Sequence, residues 1–258
     1  MAQYTLQSPV SAAWINAISS TGQAVGCSTQ ATGDGSECLP TWWPAPYLTN
    51  AVDTAFGSMF SQFLTVNSHG YAAGFFGGGD AIAYKLGSDG DPDIPIFAPT
   101  PVSVGAADIN DMDQLLMEDG TAYQLQAAGS PPVYTATPLT GNPPAGTTCR
   151  GMNIVGDIVG DYNGQAFFFS EGQMSIVPGN LSLFDINDNK LAVGYTTGLG
   201  PVLPAYVDLS VSKLEWRVNS IPLAPASAPP MTGPVPGQIA VNNAGKIVGN
   251  VNNYPFVY

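Results

Sequence analysis

Ile186-Asn187-Asp188-Asn189-Lys190-Leu191-Ala192-Val193-Gly194 decides the fold, because the chain carries six versions of it. The others are Ile15-Asn16 with Ala24-Val25-Gly26, Val66-Asn67 with Ala72-Ala73-Gly74, Ile109-Asn110 with Gln114-Leu115-Leu116, Met152-Asn153 with Ile158-Val159-Gly160, and Val241-Asn242 with Ile247-Val248-Gly249. An apolar run ending in Asn, a turn of Asn, Asp and Gly, and a second β-rich run together describe a hairpin. Recurrence of that hairpin from end to end describes a repeated supersecondary unit.

Further strands follow each hairpin. A third carries an Ala/Pro-aromatic signature: Ala83-Tyr84, Ala122-Tyr123, Ala166-Phe167-Phe168-Phe169, Ala205-Tyr206 and Pro255-Phe256. A less regular fourth includes Met174–Val177 and Leu214–Val218. Helical periodicity is essentially absent. Six units in 258 residues average about 43 each, inside the roughly 40–50 of four-stranded propeller blades. The last unit stops after its third strand at Tyr258, while Gln3–Gln7 forms an orphan strand before the first. The expectation is therefore all-β: a single domain over 1–258, a six-bladed β-propeller of four-stranded blades. Its N-terminal strand completes the last blade and removes a sheet edge.

Composition narrows the setting. Lys+Arg 6 against Asp+Glu 19 gives a formal net charge of -13, which argues against nucleic acid and against an anionic membrane surface. No apolar run reaches the roughly 20 residues of a spanning helix, so membrane insertion is not expected. Met1–Thr5 has neither a basic segment nor an apolar signal core. Scarce Lys with abundant Gly, Pro, Ser, Thr and Asn suits an extracellular or virion-surface location. Three cysteines leave at least one unpaired. A disulfide between Cys27 and Cys38 would close a Gly/Ser/Thr-rich segment in an oxidising compartment, and Cys149 reads as a buried free thiol.

The pattern Ile-Asn-x-x-Gly-x-x-Val-Gly followed by Ala-aromatic resembles the HAF-type repeats of extracellular bacterial and archaeal proteins. The match is best in Asp157–Gly160 with Gln165–Phe168, and in Asn242–Gly249. It departs where the family's His before Ala-Phe is replaced by Gln165, Asp80 or Pro204, and where Leu116-Met117-Glu118 stands for Val-Gly. The resemblance implies a repeat architecture and an exterior setting, and no chemistry.

Candidate function lies in what the repeat leaves out. The turns between first and second strands are short. Longer segments fall at the opposite end of the blades: Ser28–Tyr47, Phe75–Asp80, Tyr195–Pro204, and the links Thr135–Thr147 and Ile221–Gly237. Loops on a rigid scaffold commonly carry binding. Trp42, Trp43 and Tyr47 cluster in the first of these segments, and Phe75, Phe76 and Tyr195 flank two others. Exposed rings there would stack on a sugar or anchor a protein partner, while buried ones would only pack the loop. Asp89, Asp91 and Asp93 alternate as at the start of a calcium loop, without the later bidentate Glu; the competing reading is a solvated turn. A structural calcium is the one cofactor the sequence suggests.

Catalytic sets are sparse. His69 is the single histidine and sits at a turn, without the nucleophile elbow of a Ser-His-Asp hydrolase. Gly77-Gly78-Gly79 lacks the Lys and helix of a phosphate cradle. Glu37, Glu118, Glu171 and Glu215 with scattered Asp leave a carboxylate-pair glycosidase open. The leading expectation is a non-enzymatic recognition module, as in a phage receptor-binding or spike protein. Its partner would be a host-surface glycan or protein receptor, alongside other virion or surface proteins. The alternatives are a secreted polysaccharide-acting propeller enzyme and a structural subunit of an assembly.

Overall fold

The structure is a computed structural model that describes residues 13–21, 23–32, 35–43, 52–53, 62–76, 80–86, 94–96, 104–128, 133–197, 202–221, 239–251 and 254–258. All of the sheets are built the same way. The first contains β1 (Ala13–Ile18), β2 (Ala24–Thr32), β3 (Gly35–Trp43) and β4 (Val52–Asp53). The second contains β5 (Gln62–Val66), β6 (Tyr71–Phe76), β7 (Asp80–Lys85) and β8 (Ile94–Ile96). The third has β9 (Ala106–Ile109), β10 (Gln114–Met117), β11 (Ala122–Ala128) and β12 (Val133–Pro138). The fourth has β13 (Thr147–Met152), β14 (Ile158–Tyr162), β15 (Gln165–Ser170) and β16 (Gln173–Ile176). The fifth has β17 (Leu181–Ile186), β18 (Leu191–Thr196), β19 (Pro204–Asp208) and β20 (Asn219–Ser220), and the last β21 (Ile239–Val241), β22 (Ile247–Val251) and β23 (Tyr254–Val257). Strands pair in chain order within each sheet. The chain is all-β and repeated, as the hairpin phrase requires.

Two details depart from the sequence reading, and a third lies outside the described residues. Among the described residues five sheets have four strands and β21–β23 form a sheet of three, so six four-stranded blades are not what is observed. Gln3–Gln7, expected to complete the last sheet, lies outside the described residues. Leu214–Val218, expected as a fourth strand, instead begins inside a 3-10 helix at Lys213–Glu215. Trp216 explains that change: it is 3% exposed, meets Phe168 edge-on at 5.9 Å, and donates its indole N–H to Val211 O at 3.1 Å. Anchoring the indole curls the chain around it, and β20 begins only at Asn219.

Contacts divide the chain into two compact units, residues 1–113 with 125–137 and residues 114–124 with 138–258. In the first unit, Val25 and Trp42 pack on Phe63, Val66, Ile82 and Tyr84, so the first two sheets bury one face against each other. In the second unit, Val159, Phe168 and Val177 pack on Leu183, Val207 and Trp216. Val193 and Tyr195 pack on Ile239, Val241 and Ile247. Apolar alternation on consecutive sheets thus becomes face-to-face packing.

The repeat phrase has a specific geometry. In the hairpin at Asn187, the Asn187 N–H donates to Leu191 O at 3.1 Å and the Lys190 N–H donates back to Asn187 O at 3.0 Å. The residue three after each anchor takes positive φ: Gly70 at 75°, Asp113 at 60°, Gly156 at 85°, Lys190 at 61° and Gly245 at 76°. This is a type I turn closed by a left-handed residue, the three-residue hairpin connection.

The Val-Gly glycine answers a different constraint. Register slips between Phe63 and Thr65, between Cys149 and Gly151, and between Leu183 and Asp185. Each bulge brings the first strand's backbone against the second. A Cβ on Gly74 would lie 1.9 Å from Gln62 O, one on Gly160 2.1 Å from Thr148 O, and one on Gly194 1.8 Å from Ser182 O. Only glycine fits.

That geometry corrects the first unit. Its bulge falls between Ile15 and Ala17, so Asn16 occupies the bulge and Ser19 takes the anchor's place. The Ser19 N–H donates to Gln23 O at 2.8 Å, and the Gln23 N–H donates to Ser19 Oγ at 3.1 Å. Asn16 still joins two sheets, donating through Nδ2 to Phe63 O at 2.6 Å.

Candidate functional site

The anchor asparagines are buried: Asn67 is 2% exposed, Asn110 6%, Asn153 2% and Asn187 4%. The side chains of Asn67, Asn153 and Asn187 work in two directions. Oδ1 accepts from its own turn; for Asn187 the donors are the Asn189 N–H at 3.0 Å and the Leu191 N–H at 2.9 Å. Nδ2 donates to the backbone of the next sheet's anchor. Asn67 reaches Asn110 O at 2.9 Å, Asn153 reaches Asn187 O at 3.4 Å, and Asn187 reaches Asn242 O at 2.8 Å. An amide is the side chain suited to this, since it offers donor and acceptor at once.

A second ladder runs beside the first, one residue later. The Ser68 N–H donates to Asp111 Oδ1 at 2.7 Å, the Ile154 N–H to Asp188 Oδ1 at 2.9 Å, and the Asp188 N–H to Asn243 Oδ1 at 2.9 Å. Asp108 accepts from Thr65 Oγ1 at 2.8 Å, and Asp185 Oδ2 accepts from the Val241 N–H at 2.8 Å. These acids are therefore bonded between consecutive sheets.

His69 belongs to this end. Its Nδ1 lies 2.8 Å from Asp113 Oδ1, which also accepts from Asn67 Nδ2 at 2.7 Å. Lys85 donates to His69 O and lies 5.0 Å from the Tyr71 ring centroid. Burial lowers the Lys85 ammonium below its ordinary pKa, against an opposing pull from Asp113. His69 is a turn residue whose Nδ1 faces the neighbouring sheet's acid.

The aromatic positions named from sequence separate. Ser28–Tyr47 is not one long loop: Ser28–Thr32 and Gly35–Trp43 are paired strand over most of it. Trp42 is 2% exposed and packs with Phe63 and Tyr84, so it is core and cannot stack on a ligand. Tyr195 is 1% exposed and meets Phe184 edge-on at 5.8 Å, so it too is core. In both cases strand alternation turns the ring inward. Phe75 is half-buried in β6. Trp43 and Phe76 lie in β3 and β6 with side chains outside the described residues, as Tyr47, Asp89, Asp91 and Asp93 are altogether. Cys27 is disulfide-bonded, the Cys38 side chain lies outside the described residues, and Cys149 is a free, buried thiol. Burial, with Asp119 adding, pushes the Cys149 thiol up to about 11 against a hydrogen bond to Thr147.

The far end of the sheets varies. Tyr162 and Gln165 close around Asn163-Gly164, β2 and β3 extend nine residues each, and Thr196 to Pro204 spans a longer connection tied by the Thr196 N–H to Leu203 O at 2.8 Å. Arg150, which sequence reasoning passed over, lies on β13 in the bulge. Its signal was its place three residues before an anchor.

Neither a protein-family model nor a curated protein sequence matches the chain. Among solved structures, it is similar to PorZ, described as an essential bacterial surface component of the type-IX secretion system of Porphyromonas gingivalis. That similarity has 12% identity and a TM-score of 0.41, covering 90% of this chain and 33% of that one. This chain thus spans about a third of the length of that protein.

Proposed function

We propose that the chain is a non-enzymatic recognition module, acting outside a cell or on a virion surface. It binds a glycan or protein receptor through the end of its sheets that carries the second-to-third-strand hairpins. One observation supports this above the others: the two ends of the sheets are built by different rules. The anchor end repeats one turn and bonds it from sheet to sheet. The far end ranges from a tight Asn163-Gly164 turn to the nine-residue strands β2 and β3. A stitched end with a variable opposite end is how a rigid scaffold presents loops for binding.

The test is binding to a glycan array and to host cells by the whole chain and by the triple variant Trp43→Ala, Tyr47→Ala, Phe76→Ala. Binding lost with the melting temperature kept supports the reading. Unchanged binding removes these rings from the site. Trp42→Ala is a folding control, because it opens the core.

A further inference from the structure

The bulge of β13 puts Arg150 out of the regular pairing with β14, and the bulge of β17 does the same for Phe184. A bulged residue leaves the strand's alternation and aims its side chain anew. These two meet across neighbouring sheets. The Arg150 guanidinium carbon lies 4.5 Å from the Phe184 ring centroid, and Phe184 is itself held edge-on by buried Tyr195. Arg150 Nε donates to Asp161 Oδ2 at 3.0 Å. The Ser182 hydroxyl lies 2.9 Å from Asp161 Oδ1 and 2.7 Å from Oδ2. The guanidinium is thus fixed by a stack on one face and an ion pair on one edge.

Its remaining edge is uncommitted. Among the described residues Nη1 and Nη2 have no hydrogen-bond partner, and the side chain is 36% exposed. Arg217, the only other arginine in the sequence, spends Nη1 on Leu214 O and Trp216 O. A guanidinium held by Nε still offers its two terminal nitrogens as a fork, the geometry that matches a carboxylate.

We propose that this edge binds the carboxylate of a sugar acid, the uronic-acid class. The neighbours choose the ligand. Asp161 beside the fork repels a dianion such as phosphate but accepts hydrogen bonds from hydroxyl groups. Ser182 adds an oxygen with free lone pairs. A single planar carboxylate on a ring of hydroxyls satisfies all three. The chain's net charge of -13 disfavours dense polyanions at long range. The site also lies toward the variable end of the sheets, since Asp161 pairs with Ala166, one step from the Asn163-Gly164 turn. The sugar class rests on the recognition reading above; the carboxylate fork does not.

The test uses the whole chain with galacturonate, galactose and inorganic phosphate, each titrated by calorimetry while the Arg150 Nε–H resonance is followed by NMR. Galacturonate is expected to shift that resonance and to bind about tenfold or more tighter than galactose, the loss typical of one charge-assisted pair. Arg150→Met, which keeps a chain over Phe184, is expected to raise the galacturonate Kd by about tenfold or more, and Arg150→Lys by less. Equal binding of galacturonate and galactose, tighter binding of phosphate, or an unmoved Arg150 resonance would each overturn the proposal. If Arg150→Met does not fold, the wild-type arms still decide. Failure here leaves the glycan-array and cell-binding test of the hairpin end untouched.

Discussion

Removing one anchor amide measures the stitch directly. Asn187→Ala deletes the acceptor for the Asn189 N–H at 3.0 Å and the Leu191 N–H at 2.9 Å, and the donor to Asn242 O at 2.8 Å. Three hydrogen bonds at about 1 kcal/mol each amount to about 3 kcal/mol. The site is 4% exposed, so water replaces the lost partners poorly and the cost rises toward about 5 kcal/mol. Asn242→Ala is the internal control. Its Oδ1 accepts from the Ala244 N–H at 3.0 Å and the Lys246 N–H at 2.9 Å, it has no Nδ2 partner among the described residues, and it is exposed. Water substitutes there, and about 1 kcal/mol should be lost. Asn187→Ser should fall between them at about 2 kcal/mol, because Ser19 shows that a hydroxyl serves the N–H four residues on but cannot also span to the next sheet. Equilibrium urea unfolding, read by tryptophan fluorescence, gives all three, with an unchanged m-value showing that only stability moved. If Asn187→Ala cost no more than Asn242→Ala, the bonds between sheets would be incidental and the reasoning refuted.

Further expectations follow from single positions. Gly194→Ala should cost more than about 3 kcal/mol or abolish soluble expression, because its Cβ would lie 1.8 Å from Ser182 O. Gly164→Ala, at φ +76 with nothing within 4 Å, should cost only about 1–2 kcal/mol; equal costs by urea unfolding would mean the bulge can relax. Cys149 should resist a thiol reagent at pH 8 in the folded protein and react in denaturant, since burial holds the thiol up to about 11. The sign of its linkage is fixed: both states are protonated below the ordinary value of 9.0, and between there and about 11 only the unfolded chain ionises, so this group's contribution to stability is lost as pH rises through that window. Thiol titration in denaturant should find one reactive cysteine without reductant and three with it, if Cys27 is bonded within the chain; three in both conditions would exclude the disulfide.

The hairpin phrase made the sheets legible because its signals are local: a turn that needs a left-handed residue, and β-branched runs on either side. The glycine seven residues after Asn67, Asn153, Asn187 and Asn242 also carried the register. In the first unit Gly26 stands seven after Ser19 and ten after Asn16, so the spacing already pointed to Ser19 as the anchor. What one hairpin cannot show is its partner. The bond from Asn187 to Asn242 joins residues 55 apart, and nothing local to either reveals it. Trp42 and Tyr195 show the same limit. An aromatic ring beside a turn looks available until the facing sheet is in place, and here the facing sheets bury both. Arg150 is marked in the sequence only by its place three residues before an anchor, because a bulge is a property of register, not of the residue that occupies it.

The stitch also makes use of part of the chain's acidity. Each inter-sheet ladder needs an acceptor for a backbone N–H or hydroxyl, and carboxylates supply strong ones. Asp108, Asp111, Asp185 and Asp188 fill that role between sheets, and Asp113 takes both the Asn67 amide and His69. Asn243 does for Asp188 what Asp188 does for Ile154, so the position requires an oxygen and not a charge. Part of the chain's negative charge, five of its 19 Asp and Glu residues, is thus taken up by bonding between and beside the repeated hairpins. Arg150 runs against this tendency: it occupies a bulge beside an acid, with Nη1 and Nη2 unpartnered among the described residues.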